Sequence, residues 1–129
     1  MDSRFPRMIL AGERGGAGKT LTAIALLAAW RAHGRSCMAF KKGPDYIDSA
    51  WLSAAAGGAC RNLDTFLMGE RVVVRSFHDH ALRDGVNLIE GNRGLFDGVD
   101  SEGAFSTAEL AKLLAAPVVV VLDCEKQTR

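Results

Sequence analysis

Cysteine is scarce in this sequence and poorly placed for clustering. Cys37, Cys60 and Cys124 are widely spaced and form no CxxC pair, which argues against a disulfide framework or a zinc site and predicts a reducing, cytoplasmic setting. An excess of either charge is also missing. Sixteen basic and 15 acidic residues leave a net charge of +1, so no global field recruits nucleic acid or an anionic membrane. Anion binding, if present, must be local. Long apolar runs are absent too: the longest, Ala23 to Trp30, is too short to span a bilayer. Residues Met1 to Arg7 lead into only a short apolar run with Glu13 and Arg14 close behind, so a signal peptide is not expected. Repeats and low-complexity segments are lacking.

What remains is ordinary for a globular chain. Of 129 residues, 48% are hydrophobic and 24% charged, enough for one domain over 1–129 with a buried core. Met8 to Ala11 reads as a short buried strand running into the glycine-rich Gly12 to Gly18. Lys19 to His33 reads as an Ala/Leu-rich helix stopped at Gly34, apolar nearly all round and expected to be buried. A second strand, Ser36 to Phe40, ends at Lys41-Lys42-Gly43-Pro44. Asp48 to Ala56 suits a short helix with Asp48 as its N-cap, closed by Gly57-Gly58. The mixed stretch Leu63 to Leu82 predicts one helix after Gly69. Val86 to Ile89 is a third strand ending at Glu90-Gly91. Thr107 to Ala115 is a helix capped by Ser106. Pro117 to Leu122 is a fourth strand whose unbroken β-branched run predicts burial on both faces. Strands alternating with helices predict an α/β fold: a P-loop NTPase-like parallel sheet of about four strands with flanking helices, incomplete at the C-terminal side.

The strongest chemical signal is Gly12-Glu13-Arg14-Gly15-Gly16-Ala17-Gly18-Lys19-Thr20. Glycines let several backbone N–H groups point into one concave turn, and the following helix adds its N-terminal dipole. In this reading Gly12, Gly15, Gly16, Ala17, Gly18, Lys19 and Thr20 hold the phosphates of ATP. Lys19 reaches the β- and γ-phosphates, and the Thr20 hydroxyl ligates Mg²⁺. Strict spacing of the phosphate-loop motif would put a glycine at Glu13, whereas it stands at Gly12. The plainer alternative is a glycine turn that only caps a buried helix.

Ligands of an open α/β sheet gather at the carboxyl ends of its strands. Two further strand ends here are polar: Lys41 to Asp48, and Glu90 to Gly98. Glu90 directly follows an apolar strand, a costly place for a carboxylate without a cation. Mg²⁺ needs only a few carboxylates besides waters and phosphate oxygens, so Thr20, Glu90 and Asp45 or Asp48 would suffice. Capping is the competing role for Asp48, and a turn role competes for Asp97. Lys41, Lys42 and Arg93 are either solvated or aimed at an anionic substrate. His33, His78 and His80 have no spacing partner and are expected on helix surfaces.

At these residues a resemblance emerges. Gly12 to Thr20 looks like the phosphate loop of P-loop amidoligases and of dethiobiotin synthetase. Lys41-x-Gly43-Pro44-Asp45-Tyr46-Ile47-Asp48, then Asn62-Leu63-Asp64, then Glu90-Gly91-x-x-Gly94-Leu95-Phe96-Asp97-Gly98 resemble, in order, the KxGPDYID block, a further block and the EGxxGLxDG block of the cobyrinic acid a,c-diamide synthase family. The resemblance implies an ATP- and Mg²⁺-dependent carbon–nitrogen ligase of cobalamin biosynthesis. Such an enzyme phosphorylates tetrapyrrole side-chain carboxylates, and the acyl phosphates are amidated with ammonia from a glutamine amidotransferase domain or subunit. It implies catalytic roles for Lys19, Lys41, Asp45, Asp48, Glu90 and Asp97, metal contacts from Thr20, Asp45 and Glu90, and substrate contacts from Tyr46, Ile47 and Arg93. A homodimer is compatible with it. Lys42, Ser49 and the pair Asn92-Arg93 depart from the family pattern, which points to a related sirohaem- or nickel-type tetrapyrrole as an alternative. The amidotransferase domain is not in this sequence, so a fragment or a chain needing a partner is expected. The rival readings are a partitioning-type P-loop ATPase, dethiobiotin synthetase, and a nucleotide-binding module without ligase activity.

Overall fold

Strands and helices alternate along the chain in the computed structural model, which describes residues 4–127. The elements are β1 (Arg7–Gly12), α1 (Lys19–Ala32), β2 (Cys37–Lys42), α2 (Ile47–Ala56), β3 (Arg61–Leu63), α3 (Thr65–Met68), α4 (Glu70–His80), β4 (Val86–Gly94), α5 (Thr107–Leu113) and β5 (Val118–Val121). The strands form one sheet in the order β3-β2-β4-β1-β5, and every pairing is parallel. Parallel neighbours need crossover connections, and the intervening helices supply them. Five strands replace the four expected, because Arg61–Leu63 pairs with Phe40–Lys42.

The period of two along the strands sorts the core into two layers. Ile9, Phe40 and Ile89 pack with Val73 and Phe77 of α4 and Leu110 and Leu114 at α5. Their immediate neighbours Leu10, Ala39 and Leu88 face the other way, against Ala23 and Leu27 of α1 and Leu52 and Ala56 of α2. Helices α1 and α2 therefore cover one face of the sheet, and α4 and α5 the other. Each of these fully buried Leu, Ile and Phe side chains contributes roughly 1.5–3 kcal/mol relative to exposure.

Some elements differ from the sequence reading. Helix α1 is buried along one side only, through Lys19, Ala23 and Leu27, while Leu21 is 75% exposed. β2 runs on through Lys41 and Lys42, and β4 through Gly94. Helix α2 begins at Ile47 with Tyr46 as its N-cap residue, so Asp48 lies in the first turn and does not cap. The capping carboxylate is Asp45, which accepts from the backbone N–H groups of Ile47 (2.9 Å) and Asp48 (3.0 Å). The helix expected after Gly69 is present as α4, and a short α3 precedes it, separated by Gly69 at φ 78°. His78 is half-buried against the Phe5 and Phe77 rings and does not stand free on a helix surface. β5 is an edge strand with Val119 and Val120 exposed, so the expected burial on both faces does not hold.

Candidate phosphate-binding site

The alternation that sorts the core also builds the site. Lys41 follows Ala39, and Glu90 follows Leu88, at the two-residue step that keeps both on the α1/α2 face. Strand register then places Lys41 directly beside Glu90, and Glu90 beside Leu10 of β1. The turn after β1 delivers the N-terminus of α1 above them. Gly12 is required there by close approach: a Cβ on it would lie 2.7 Å from the Arg14 carbonyl oxygen. Gly18, at φ 100°, occupies a left-handed conformation that launches α1.

The result is a cavity of about 390 Å³ at the carboxyl ends of the strands, lined by Gly15, Gly16, Gly18, Lys19, Thr20, Leu21, Lys41, Asp48, Glu90, Asn92 and Arg93. A Cβ on Gly15 or Gly16 would meet nothing within 4 Å, so this stretch of backbone lies open. The Thr20 hydroxyl donates to Glu90 Oε1 at 2.5 Å and lies 3.4 Å from Asp48 Oδ2. Lys41 Nζ donates to the Gly91 carbonyl at 2.6 Å and stands 3.9 Å from both Glu90 Oε1 and Asp48 Oδ2. Lys41 is 2% and Glu90 1% exposed. Lys41 and Glu90 thus face each other out of reach of water, where their interaction is stronger than at a surface, while Asp48 stands at the partly exposed rim.

Burial is the dominant influence on the Glu90 carboxyl and the Lys19 amine. It pushes the Glu90 carboxyl above its ordinary value, against the pull of Lys41 and the Thr20 hydrogen bond. It lowers the Lys19 amine, with Lys41 adding repulsion and Glu90, Asp48 and Asp97 opposing. Among the described residues Glu90 Oε2 is buried with no hydrogen-bond partner. An orphaned carboxylate oxygen beside a threonine hydroxyl fits a divalent cation as its missing partner. No group of three or more His, Cys, Asp or Glu side chains is placed to hold a metal among the described residues. A cation there would draw part of its coordination from a bound ligand.

The expected site residues divide into three sets. Gly15, Gly16, Gly18, Lys19, Thr20, Lys41, Asp48, Glu90 and Arg93 come together around the cavity. Gly12 and Ala17 support the turn without lining it. Asp45, expected as a metal contact, is turned into the cap of α2, and Asp48 takes the position beside Thr20. Tyr46 and Ile47 are 79% and 60% exposed at the start of α2. Asp97 accepts from the Gly94 N–H at 2.8 Å and lines a neighbouring cavity instead. Two further residues contribute that the sequence assigns no site role. Asn92 lines the same cavity, and the step of two from Leu88 through Glu90 signals it. Asn62 ties down the loop after β2, its Nδ2 donating to the carbonyls of Gly43 (2.7 Å) and Asp45 (2.9 Å).

A five-strand parallel sheet with flanking helices, and a glycine-rich turn between its first strand and first helix, define an α/β fold of the P-loop NTPase type. No family model matches the chain. Over its whole length the chain is 52% identical to the "Cobyrinate a,c-diamide synthase" of Magnetococcus marinus, of which it covers 28%. It is 48% identical, over 92% of its length, to the protein of the same name in Synechocystis, covering 25% of that relative. It is 43% identical, over 98% of its length, to the "Hydrogenobyrinate a,c-diamide synthase" of Streptomyces coelicolor, covering 26%. The match falls on the N-terminal part of these relatives. The chain spans only about a quarter of their length.

Proposed function

We propose that this chain is the nucleotide-binding part of an ATP-dependent amidoligase that activates tetrapyrrole carboxylates, as in cobyrinate a,c-diamide synthesis. The observation that carries the reading is the buried Thr20–Glu90–Lys41 arrangement facing an open glycine turn, in a chain similar to proteins of that name. In this reading the N–H groups of the Gly15–Gly18 turn bind phosphate oxygens, and the Lys19 ammonium neutralises the β- and γ-phosphates. Thr20 and Glu90, with Asp48 alongside, would hold Mg²⁺, which supplies charge neutralisation at the phosphates. Lys41 has its amine fixed by the Gly91 carbonyl, and it points positive charge at the place where a substrate carboxylate would meet the γ-phosphate.

The chemistry follows from leaving groups. A carboxylate cannot expel oxide, whereas an acyl phosphate expels phosphate when ammonia attacks. The protein's task is to align the two anions and offset their repulsion, which oriented cations in a dry cavity do well. Ammonia would come from a glutamine-hydrolysing partner, and ATP and Mg²⁺ are the cofactors this scheme requires. A soluble, cytoplasmic setting suits it, and among the described residues no helix is long and apolar enough to cross a membrane.

The test is ADP release from MgATP with and without cobyrinate. Stimulation by the tetrapyrrole is expected, abolished by Lys41→Met. ADP release that ignores cobyrinate but responds to DNA or lipid would instead favour a partitioning-type ATPase.

A further inference from the structure

The period of two that puts Lys41 on the α1/α2 face sends Lys42 to the opposite side of the sheet. There a second cavity of about 410 Å³ is lined by Lys42, Asn92, Arg93, Asp97, Gly98, Val99 and Phe105. Asn92 and Arg93 line both this space and the phosphate cavity, so the two are joined across the end of β4. The Lys42 amine and the Arg93 guanidinium make no ion pair or hydrogen bond among the described residues. Asp97, the acidic side chain in the lining, accepts from the Gly94 N–H. Two cations against this one carboxylate leave the lining net positive. Its backbone is also unusual: Arg93 adopts φ 51°, a left-handed conformation unfavourable for a side chain with a Cβ. A glycine would take that conformation at no steric cost, which makes the arginine a residue held there against local preference.

We propose that Lys42 and Arg93 form a carboxylate-binding subsite that holds a second acid group of a polycarboxylate substrate while another lies in the phosphate cavity. The substrate class rests on the function proposed above; the subsite itself rests on the geometry. Arg93 offers a planar fork suited to a carboxylate, and Lys42 a point charge lining the same cavity. Half-burial lowers the Lys42 amine from its ordinary value, against the attraction of the Asp64 carboxylate and with Lys41 adding repulsion, and an incoming carboxylate would offset more of that desolvation. The site would rank substrates by the acid groups they carry away from the reacting one. It makes Lys42 and Arg93 specificity-determining residues.

The test is a calorimetric titration of the chain with cobyrinate, with its fully esterified form, and separately with MgADP. Lys42→Met keeps the aliphatic stem that packs in β2 and removes the charge. Arg93→Gly removes the guanidinium and relieves the positive φ, so its thermal stability should not fall. Cobyrinate is expected to bind and the ester not to bind. Each variant should weaken cobyrinate roughly ten-fold or more, the worth of a charge-assisted hydrogen bond, and Lys42→Arg should restore binding. Lys42→Met should leave MgADP affinity unchanged. Cobyrinate affinity that is absent in the natural chain, or indifferent to both substitutions, overturns the subsite. If the natural chain binds no nucleotide yet loses cobyrinate in Lys42→Met, the proposed function fails and the subsite stands. If nucleotide binds and cobyrinate ignores Lys42 and Arg93, the subsite alone fails.

Discussion

Glu90 is a carboxylate held where water does not reach, and one of its oxygens has no hydrogen-bond partner among the described residues. Folding raises its pKa above 4.5, chiefly by desolvation, so the folded chain holds this proton more tightly than the unfolded chain. The sign follows: stability from this group is full below the ordinary carboxylate value and is lost as pH climbs through the raised one. Glu90→Gln should therefore be at least as stable as the natural chain at neutral pH, by a margin on the order of 1 kcal/mol. Urea midpoints taken from acid to neutral pH should fall further for the natural chain than for the variant. Parallel curves would contradict the assignment. Glu90 and Lys41 were legible as residues because each ends an apolar run. The choice between Asp45 and Asp48 was not, because it depends on where α2 begins. With Tyr46 as the N-cap residue, Asp45 reaches the free N–H groups and Asp48 turns toward Thr20.

Element boundaries obeyed local chemistry more closely than element burial did. Ser106 was readable as a cap, and its Oγ accepts from the Glu109 N–H at 3.3 Å at the start of α5. Ser106→Ala should cost about 1 kcal/mol, seen as a lower thermal midpoint with nucleotide affinity unchanged. An unchanged midpoint would mean the cap contributes nothing. The burial of α1 does not follow from its composition, because alanine counts as apolar yet tolerates water: Ala25, Ala28, Ala29 and Ala32 are exposed. β3 escaped notice because its three residues Arg61, Asn62 and Leu63 are too few to show alternation. It exists through pairing with β2, a tertiary cause that no local pattern reports.

At the scale of the molecule, strand order decides what a hydrophobic run means. The Val118–Val121 run resembles a central strand, but among the described residues it pairs only with β1 and forms one edge of the sheet. Val119, Val120 and Leu122 are 45%, 41% and 59% exposed. An edge strand with apolar surface is a template for pairing with another chain. The chain is expected to self-associate with rising concentration, and Val120→Lys should suppress this in sedimentation or light scattering. A natural chain that stays monomeric throughout would contradict the expectation. The same strand order makes the fold class readable, since alternating strands and helices admit few arrangements other than a parallel sheet with both faces covered.

The glycine cradle with its shared cation is tested most directly by calorimetry of the chain with MgADP, repeated without magnesium and with Lys19→Met and Glu90→Gln. Binding should depend on magnesium, vanish in Lys19→Met and lose its magnesium dependence in Glu90→Gln. Nucleotide binding unaffected by either substitution, or no binding at all, would rule the cradle out.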